Sequence, residues 1–267
     1  IIRPGVDIHA LGDEANLRPK KEAWVTLLAS DGPISGAESA ELSYADAVQV
    51  LVYTLQVAGT TRQVVVLVDP GSVSASSIQR LRDLNATILE ISPIEPPKYS
   101  AKSASHRMRF SFNKLWALSL EEYSKVAYVD ADVFVLPTCQ DIDGIFQYQA
   151  PASAREMSDA SIRQMGVYIM HPHRDLMHDL IEKRMNPCDY PKKGVDTGFM
   201  NCYFKDHWYT LPQEYNLQHF CNSKPSGGSC RQFYSKWWGA SNLPIEEGKG
   251  KGLSLCMVQD KFFKYRR

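Results

Sequence analysis

Long hydrophobic runs are missing from this sequence. The most apolar stretches, around 48–55 and 64–68, fall far short of the roughly 20 residues that a membrane-spanning helix needs, so no such helix is expected within these 267 residues. An excess of one charge is missing too, because 30 Lys and Arg balance 30 Asp and Glu. With no long basic block, nucleic acid and charge-driven membrane binding are not suggested as partners. Cysteine is absent before residue 139, and all 6 cysteines lie from Cys139 onward. Among them Cys221 and Cys230 flank a Ser, Gly and Pro-rich loop short enough for a disulfide to close, with free buried thiols as the alternative. A Gly-rich phosphate loop, an internal repeat and a low-complexity tract are also lacking. The histidines show neither HxxH nor HExxH spacing, so zinc is not indicated. The first residue is Ile1, not Met, and the chain is expected to be a processed segment with any signal or anchor outside it.

The composition present, 44% hydrophobic and 22% charged, suits a chain with a sizeable core. Residues 1–20 lack sustained periodicity and read as an N-terminal arm or stem, and 21–267 as a single domain. Ala23 to Ala29 and Gln63 to Val68 are short apolar runs closed by turn residues, as buried strands are. Further strands are expected at about Ala86 to Ile91, Val126 to Val129 and Gly166 to Met170. Helices are expected at about Tyr44 to Ala58, Ser74 to Leu84, through Phe112, Leu115, Trp116 and Leu120, then Asp175 to Met185 and Val195 to Phe204. Strands alternating with helices argue for an α/β fold with a mainly parallel sheet covered on both faces. Beyond Asn216 the chain reads as loops.

The stretch KVAYVDADVFVL, Lys125 to Leu136, sets Asp130 and Asp132 into an apolar run. An unpaired buried carboxylate is costly, so the pair must meet solvent, a cation or hydrogen-bond donors. Both sit where a strand ends, and open α/β sheets bind ligands outside the carboxyl ends of their strands. Two such carboxylates offer hard oxygen ligands suited to Mg²⁺ or Mn²⁺, whose remaining ligands a diphosphate would naturally supply. The alternatives are a solvated turn in which each Asp bonds its own backbone, and a phosphatase of the haloacid dehalogenase type with Asp130 as nucleophile. The latter motif usually opens its domain, with Thr or Val two residues on, where Phe134 stands here.

The run from Asn113-Lys114-Leu115-Trp116 through Tyr123 to Leu136, then Asp141-Ile142-Asp143 and Phe146, resembles the "KLxxWxLxxYxKVVYLDADxxVLxNIDxLF" block of family 8 glycosyltransferases, the glycogenin and galactinol synthase group. AWVTLL at 23–28 resembles the family's opening "AxVTLL" strand, EISPIEPP at 90–97 is similar to galactinol synthases, and LPQEYN at 211–216 resembles "LPxxYN". The resemblance covers about residues 23–220. It implies a GT-A fold, a Rossmann-like mixed sheet, and retaining transfer of a hexose or related sugar from a UDP-sugar with a divalent cation, Mn²⁺ or Mg²⁺.

By the same match Asp130 would bridge ribose and metal, and Asp132 would chelate the metal. Lys114 matches a basic residue on the donor, Leu27 a position beside the uracil, and Ser30 belongs to the nucleotide-facing turn. Tyr44 matches a Tyr that stacks on the base, or is a core aromatic. Tyr128 and Ala131 of the same block go with the donor site. VDTG at 195–198 stands where the family has "GDQG", making Asp196 the candidate sugar-side carboxylate that stabilises an oxocarbenium-like centre; the alternative is a helix N-cap. RQMG at 163–166 stands for "FNSG", with Gln164 as a substitute amide.

The tail departs most. The family's "HxxGxxKPW" supplies a third metal ligand and a diphosphate-binding Lys, and SLCMVQDKFF at 254–263 keeps Lys261 but has Ser254 or Leu255 where the His is sought. Asp260 or another His could substitute, or the chain is a non-catalytic relative that binds UDP-sugar or glycan. Trp237 and Trp238 are either an acceptor platform or core residues. The implied partners are a UDP-sugar and an acceptor that is a carbohydrate, polyol, lipid or protein, with homodimerisation left open. The Asn85-Ala86-Thr87 sequon and the late cysteines favour the secretory pathway, Golgi or ER lumen, with the cytoplasm as the alternative.

Overall fold

The computed structural model describes residues 3–30, 43–97, 106–137, 139–156, 159–186, 195–219 and 256–260. Seven strands form one twisted sheet: β1 (Glu22–Leu28), β2 (Gln63–Val68), β3 (Thr87–Glu90), β4 (Lys125–Val129), β6 (Ala152–Glu156), β7 (Asp159–Met170) and β8 (Tyr209–Thr210). Their order is β3-β2-β1-β4-β7-β6-β8. The first four pair in parallel, β7 runs antiparallel to β4 and β6, and β8 is parallel to β6. β5 (Val133–Val135), β9 (Leu217–His219) and β10 (Met257–Asp260) make a second sheet ordered β5-β10-β9. The α/β fold expected from the sequence is the one observed.

Both faces of the large sheet are covered, which is why β1 and β2 read as continuous apolar runs. Trp24 and Leu28 point to the cluster holding helices α2 (Tyr44–Val57) and α3 (Ala75–Asp83). Ala23 and Val25 point the other way, to the 3-10 segment His106–Ser119 and to α4 (Arg174–Lys183) and α5 (Val195–Tyr203). That alternation is the period-2 geometry of a strand. Truncating a fully buried aromatic such as Trp24 typically costs about 3–5 kcal/mol.

Local chemistry fixes the helix ends. α2 opens on a capping box in which Ser43 Oγ accepts from Asp46 N while the Asp46 carboxylate accepts from Ser43 N, and Ser74 caps α3 by accepting from Ser77 N. Asn85 follows α3 at φ 57°, the left-handed position that Asn tolerates after a helix. Its place in a sequon therefore has a conformational reason as well.

Within the N-terminal arm, residues 3–20 contain a helix that the sequence did not indicate. α1 (Ile8–Asn16) is capped by Asp7 and buries Ile8 and Ala15. Gly5 N donates to Asp179 Oδ2 at 2.8 Å, and Arg18 reaches the carbonyls of Glu121 and Pro172 at 3.2 and 3.0 Å. The helix was hidden because few of its residues are apolar, and its attachments are polar and distant in sequence.

A second difference is the disulfide Cys139–Cys256, which joins the segment after β5 to the start of β10. Leu136 N also donates to Cys256 O at 2.8 Å, so β10 is anchored directly beneath the aspartate motif. Cys202 is disulfide-bonded as well. The loop Cys221 to Cys230 proposed for a bridge lies outside the described residues, as do Trp237 and Trp238.

Candidate active site

Asp130 leaves the sheet at the carboxyl end of β4. Its backbone N–H donates to Gly166 O at 2.7 Å, continuing the β4–β7 pairing that ends at Val129 and Val167. Asp132 follows at the turn into β5. The apolar residues on either side are buried in the two strands, while Asp130, Ala131 and Asp132 remain half-buried between them. Two carboxylates in an apolar run thus stand at the strand exit, where ligands reach a parallel sheet.

Lys114 enters from the 3-10 segment and is buried to 4% exposure. Its Nζ lies 2.7 Å from Asp196 Oδ2 and 3.2 Å from Asp130 Oδ1, and donates to Met165 O at 3.2 Å. The ammonium also sits 5.0 Å from the Tyr128 ring centroid, within cation–π range. Burial opposes the charge on Lys114 most strongly, but Asp130 and Asp196, joined by the electron-rich Tyr128 and Tyr168, outweigh it and hold the amine well above its ordinary value. Tyr128 stacks on Tyr168 at 5.0 Å, and burial pushes both phenols up, so they stay neutral.

Asp130 feels opposing influences. Burial raises its carboxyl, Lys114 lowers it, and Asp132 and Asp196 raise it again, leaving it at about 6. One ammonium serves two carboxylates, so negative charge is in excess at this pair, a condition that favours a bound cation.

Asp196 lies in the first turn of α5, beyond its start, with its carboxylate turned to Lys114. It is placed in the cluster, and the N-cap alternative is not what is seen. Asn201 on the same helix clasps β7: Arg163 N donates to Asn201 Oδ1 at 2.7 Å, and Asn201 Nδ2 donates to Arg163 O and Thr197 O, both at 2.8 Å. This clasp fixes α5 against the strand that carries Gly166.

Gln164 is buried on β7, and its carbonyl accepts from Ser153 Oγ. Among the described residues no hydrogen bond joins its side-chain amide to Lys114 or the aspartates. Leu27, near the end of β1, is half-buried against the 3-10 side of the core, and Tyr44, the first residue of α2, packs on the opposite core cluster. Ser30 follows β1, half-buried at the same carboxyl edge. Ser254, Leu255 and Lys261 lie outside the described residues.

The residue that β10 brings to the motif was not singled out in the sequence. Gln259 pairs in register with Val133, and its Nε2 donates to Asp132 Oδ1 at 3.0 Å. It is buried to 3% exposure. Its only sequence signal is a polar side chain in an otherwise apolar run, CMVQ. Among the described residues no three His, Cys, Asp or Glu side chains gather as a metal cluster, so the carboxylates of Asp130 and Asp132 are the candidate ionised ligands for a cation.

No family model matches the chain. Glycogenin-1 of Caenorhabditis elegans is 26% identical over 203 residues, covering 75% of this chain and 43% of that protein. UDP-glucuronate:xylan alpha-glucuronosyltransferase 2 of Arabidopsis thaliana is 27% identical over 201 residues, covering 75% of this chain and 30% of its own length. The chain therefore spans less than half the length of these relatives. Among solved structures, the galactosyltransferase LgtC with donor and acceptor sugar analogues superposes with a TM-score of 0.55 at 12% identity, covering 89% of this chain and 86% of that one. The glycosyltransferase GlyE of Streptococcus pneumoniae gives 0.55 at 15% identity, covering 90% and 54%. The chain is thus similar in sequence to glycogenin and to glucuronosyltransferases over about three quarters of its length, and it shares the GT-A glycosyltransferase fold.

Proposed function

We propose that this chain is a retaining transferase that moves a sugar from a UDP-sugar to an acceptor, assisted by a divalent cation, Mn²⁺ or Mg²⁺, at Asp130 and Asp132. The observation that carries this reading is the single buried Lys114 joining Asp130 to Asp196 at 3.2 and 2.7 Å. That contact ties the carboxylate assigned here to the metal to the carboxylate assigned to the sugar. The donor set fits a hard ion, being carboxylate oxygen at a strand exit with local negative charge in excess. When bound, the ion would offset charge on the departing diphosphate.

The chain's own groups have separable roles. Lys114 orients both carboxylates at once, and its immobility costs no rearrangement when charge shifts. Asp196, held on Lys114 at 2.7 Å, would stabilise positive charge developing at the anomeric carbon of a bound donor. Leu27 and Ser30, at the carboxyl end of β1 beside β4, and Tyr44, at the start of α2, are assigned to the nucleotide base, and Tyr128 and Ala131 to the diphosphate end. Gln164 remains a candidate for the donor sugar and Lys261 for the diphosphate.

The relative named as a UDP-glucuronate:xylan glucuronosyltransferase supports glucuronate among the donors to test. Incubation with UDP-glucose, UDP-galactose, UDP-xylose, UDP-glucuronate and UDP-N-acetyl sugars, with Mn²⁺ or with chelator, needs no acceptor because donor hydrolysis releases UDP. Metal-dependent release from at least one donor supports the reading, and none from any of them contradicts it.

A second reading, a binding-only relative, draws on Ser254 and Leu255 standing where the resemblance sought an imidazole and on Gln259, not a His, lying beside Asp132. In that case UDP with Mn²⁺ raises the melting temperature while every donor persists. For localisation we favour an oxidising compartment such as the secretory lumen, supported by the Cys139–Cys256 bridge, since disulfides persist there.

A further inference from the structure

Gln259 has two unequal ends. Its nitrogen donates to Asp132 Oδ1 at 3.0 Å, whereas its Oε1 is buried without a hydrogen-bond partner among the described residues. Buried amide oxygens are rarely left unsatisfied, and each exception asks for an explanation.

Its surroundings narrow the explanation. The amide lies against Gly166, where a Cβ would come within 2.5 Å of both Gln259 Nε2 and Oε1. Gly166 is also the residue whose carbonyl accepts from Asp130 N at 2.7 Å. The absence of a side chain at 166 thus leaves room for the Gln259 amide, which reaches Asp132 beside the residue that receives the Asp130 backbone hydrogen bond. The strand carrying it is held by the register Gln259 to Val133 and by the Cys139–Cys256 bridge, so the amide's position is set by covalent and ladder constraints.

We propose that Gln259 is the third protein ligand of the cation seat, through its carboxamide oxygen. The inference rests on the reading of Asp130 and Asp132 as that seat. A carboxamide oxygen is a neutral, hard donor of the kind Mg²⁺, Mn²⁺ and Ca²⁺ accept. It therefore suits an ion already given two carboxylates, and it lacks the preference for softer metals that an imidazole would bring. The seat is then an all-oxygen one, with Mg²⁺ and Mn²⁺ close to equivalent.

The test is calorimetric titration of the full chain with Mn²⁺ and with Mg²⁺, each alone and with UDP, for wild type, D132N, Q259L, Q259E and Q259H. Q259L keeps the volume without the oxygen, and its affinity for Mn²⁺ is expected to fall about tenfold or more, as losses at metal sites do. Q259E keeps an oxygen and adds charge, and is expected to bind at least as tightly as wild type. Q259H is expected to favour Mn²⁺ over Mg²⁺ more than wild type does. Opposite signs for Q259L and Q259E separate ligation from a packing role, and melting curves taken in chelator establish that each variant is folded. If Q259L fails to fold, G166A serves in its place, because its Cβ displaces the amide, and Mn²⁺ affinity is again expected to fall.

Wild-type affinity in Q259L together with loss in D132N overturns this inference and leaves the reading of the aspartates intact. Absence of Mn²⁺ and Mg²⁺ binding by the wild type overturns both.

Discussion

Lys114 Nζ lies 2.7 Å from Asp196 Oδ2 and 3.2 Å from Asp130 Oδ1, so one ammonium from a helical segment joins a strand exit to the first turn of α5. Removing it leaves two carboxylates without their counter-charge. K114M is expected to lose at least about 100-fold in donor turnover and about 3–5 kcal/mol of stability, the range seen when one partner of a buried pair is deleted. K114R is not expected to rescue activity, because a planar fork does not fit a point-charge niche shared with the Met165 carbonyl. Chemical denaturation and UDP release measure the two effects separately.

Asp143 is a structural hub far from the chemistry. It accepts from Trp24 Nε1 at 3.1 Å, Thr60 Oγ1 at 2.5 Å and Thr61 N at 2.8 Å, tying β1 to the turn before β2. Asp179 does the same for the N-terminus, accepting from Gly5 N at 2.8 Å and Tyr203 Oη at 2.5 Å. Burial raises both carboxyls, but the hydrogen bonds to Thr60, Thr61 and Trp24 in one case, and to Tyr203, Gly5 and Lys183 in the other, hold each below the ordinary 3.8. A depressed carboxyl stabilises the fold fully above its unfolded value, and the contribution is lost as pH falls through the folded one. The melting temperature is therefore expected to drop steeply below about pH 4, and D143N to flatten part of that drop. D143A is expected to cost about 1–3 kcal/mol at neutral pH through the donors left unpaired.

The Cys139–Cys256 bridge closes a separation of 117 residues. Such cross-links typically contribute about 2–4 kcal/mol. C139S is expected to lose a comparable amount and to weaken Mn²⁺ binding, since it loosens the strand that presents Gln259. Equal metal affinity in C139S and wild type would show that the β-ladder alone positions the strand.

What the sequence made legible follows from distance along the chain. Asp130, Asp132 and Lys114 share one contiguous block whose apolar strand and preceding helical face are visible as local periodicity. Asp196 came through its own short motif, and the structure brings it to the same ammonium. Gln259 did not come through, because its link to Asp132 spans 127 residues and only strand pairing creates it. The search for an imidazole at Ser254 or Leu255 followed motif spacing, whereas the β5–β10 register decides which side chain reaches the aspartates. α1 was missed for a related reason, its anchors at Asp179, Glu121 and Pro172 being set by tertiary contact.

The central claim is that Asp130 and Asp132 seat a cation and a sugar-nucleotide diphosphate for transfer. UDP release from the best wild-type donor, measured in Mn²⁺ for wild type and D132N side by side with their melting curves in chelator, tests it most directly. The expected result is at least about a 100-fold loss of turnover in D132N, a range typical of losing one electrostatic element of a site, with its melting temperature unchanged. Wild-type turnover in a folded D132N would contradict the account.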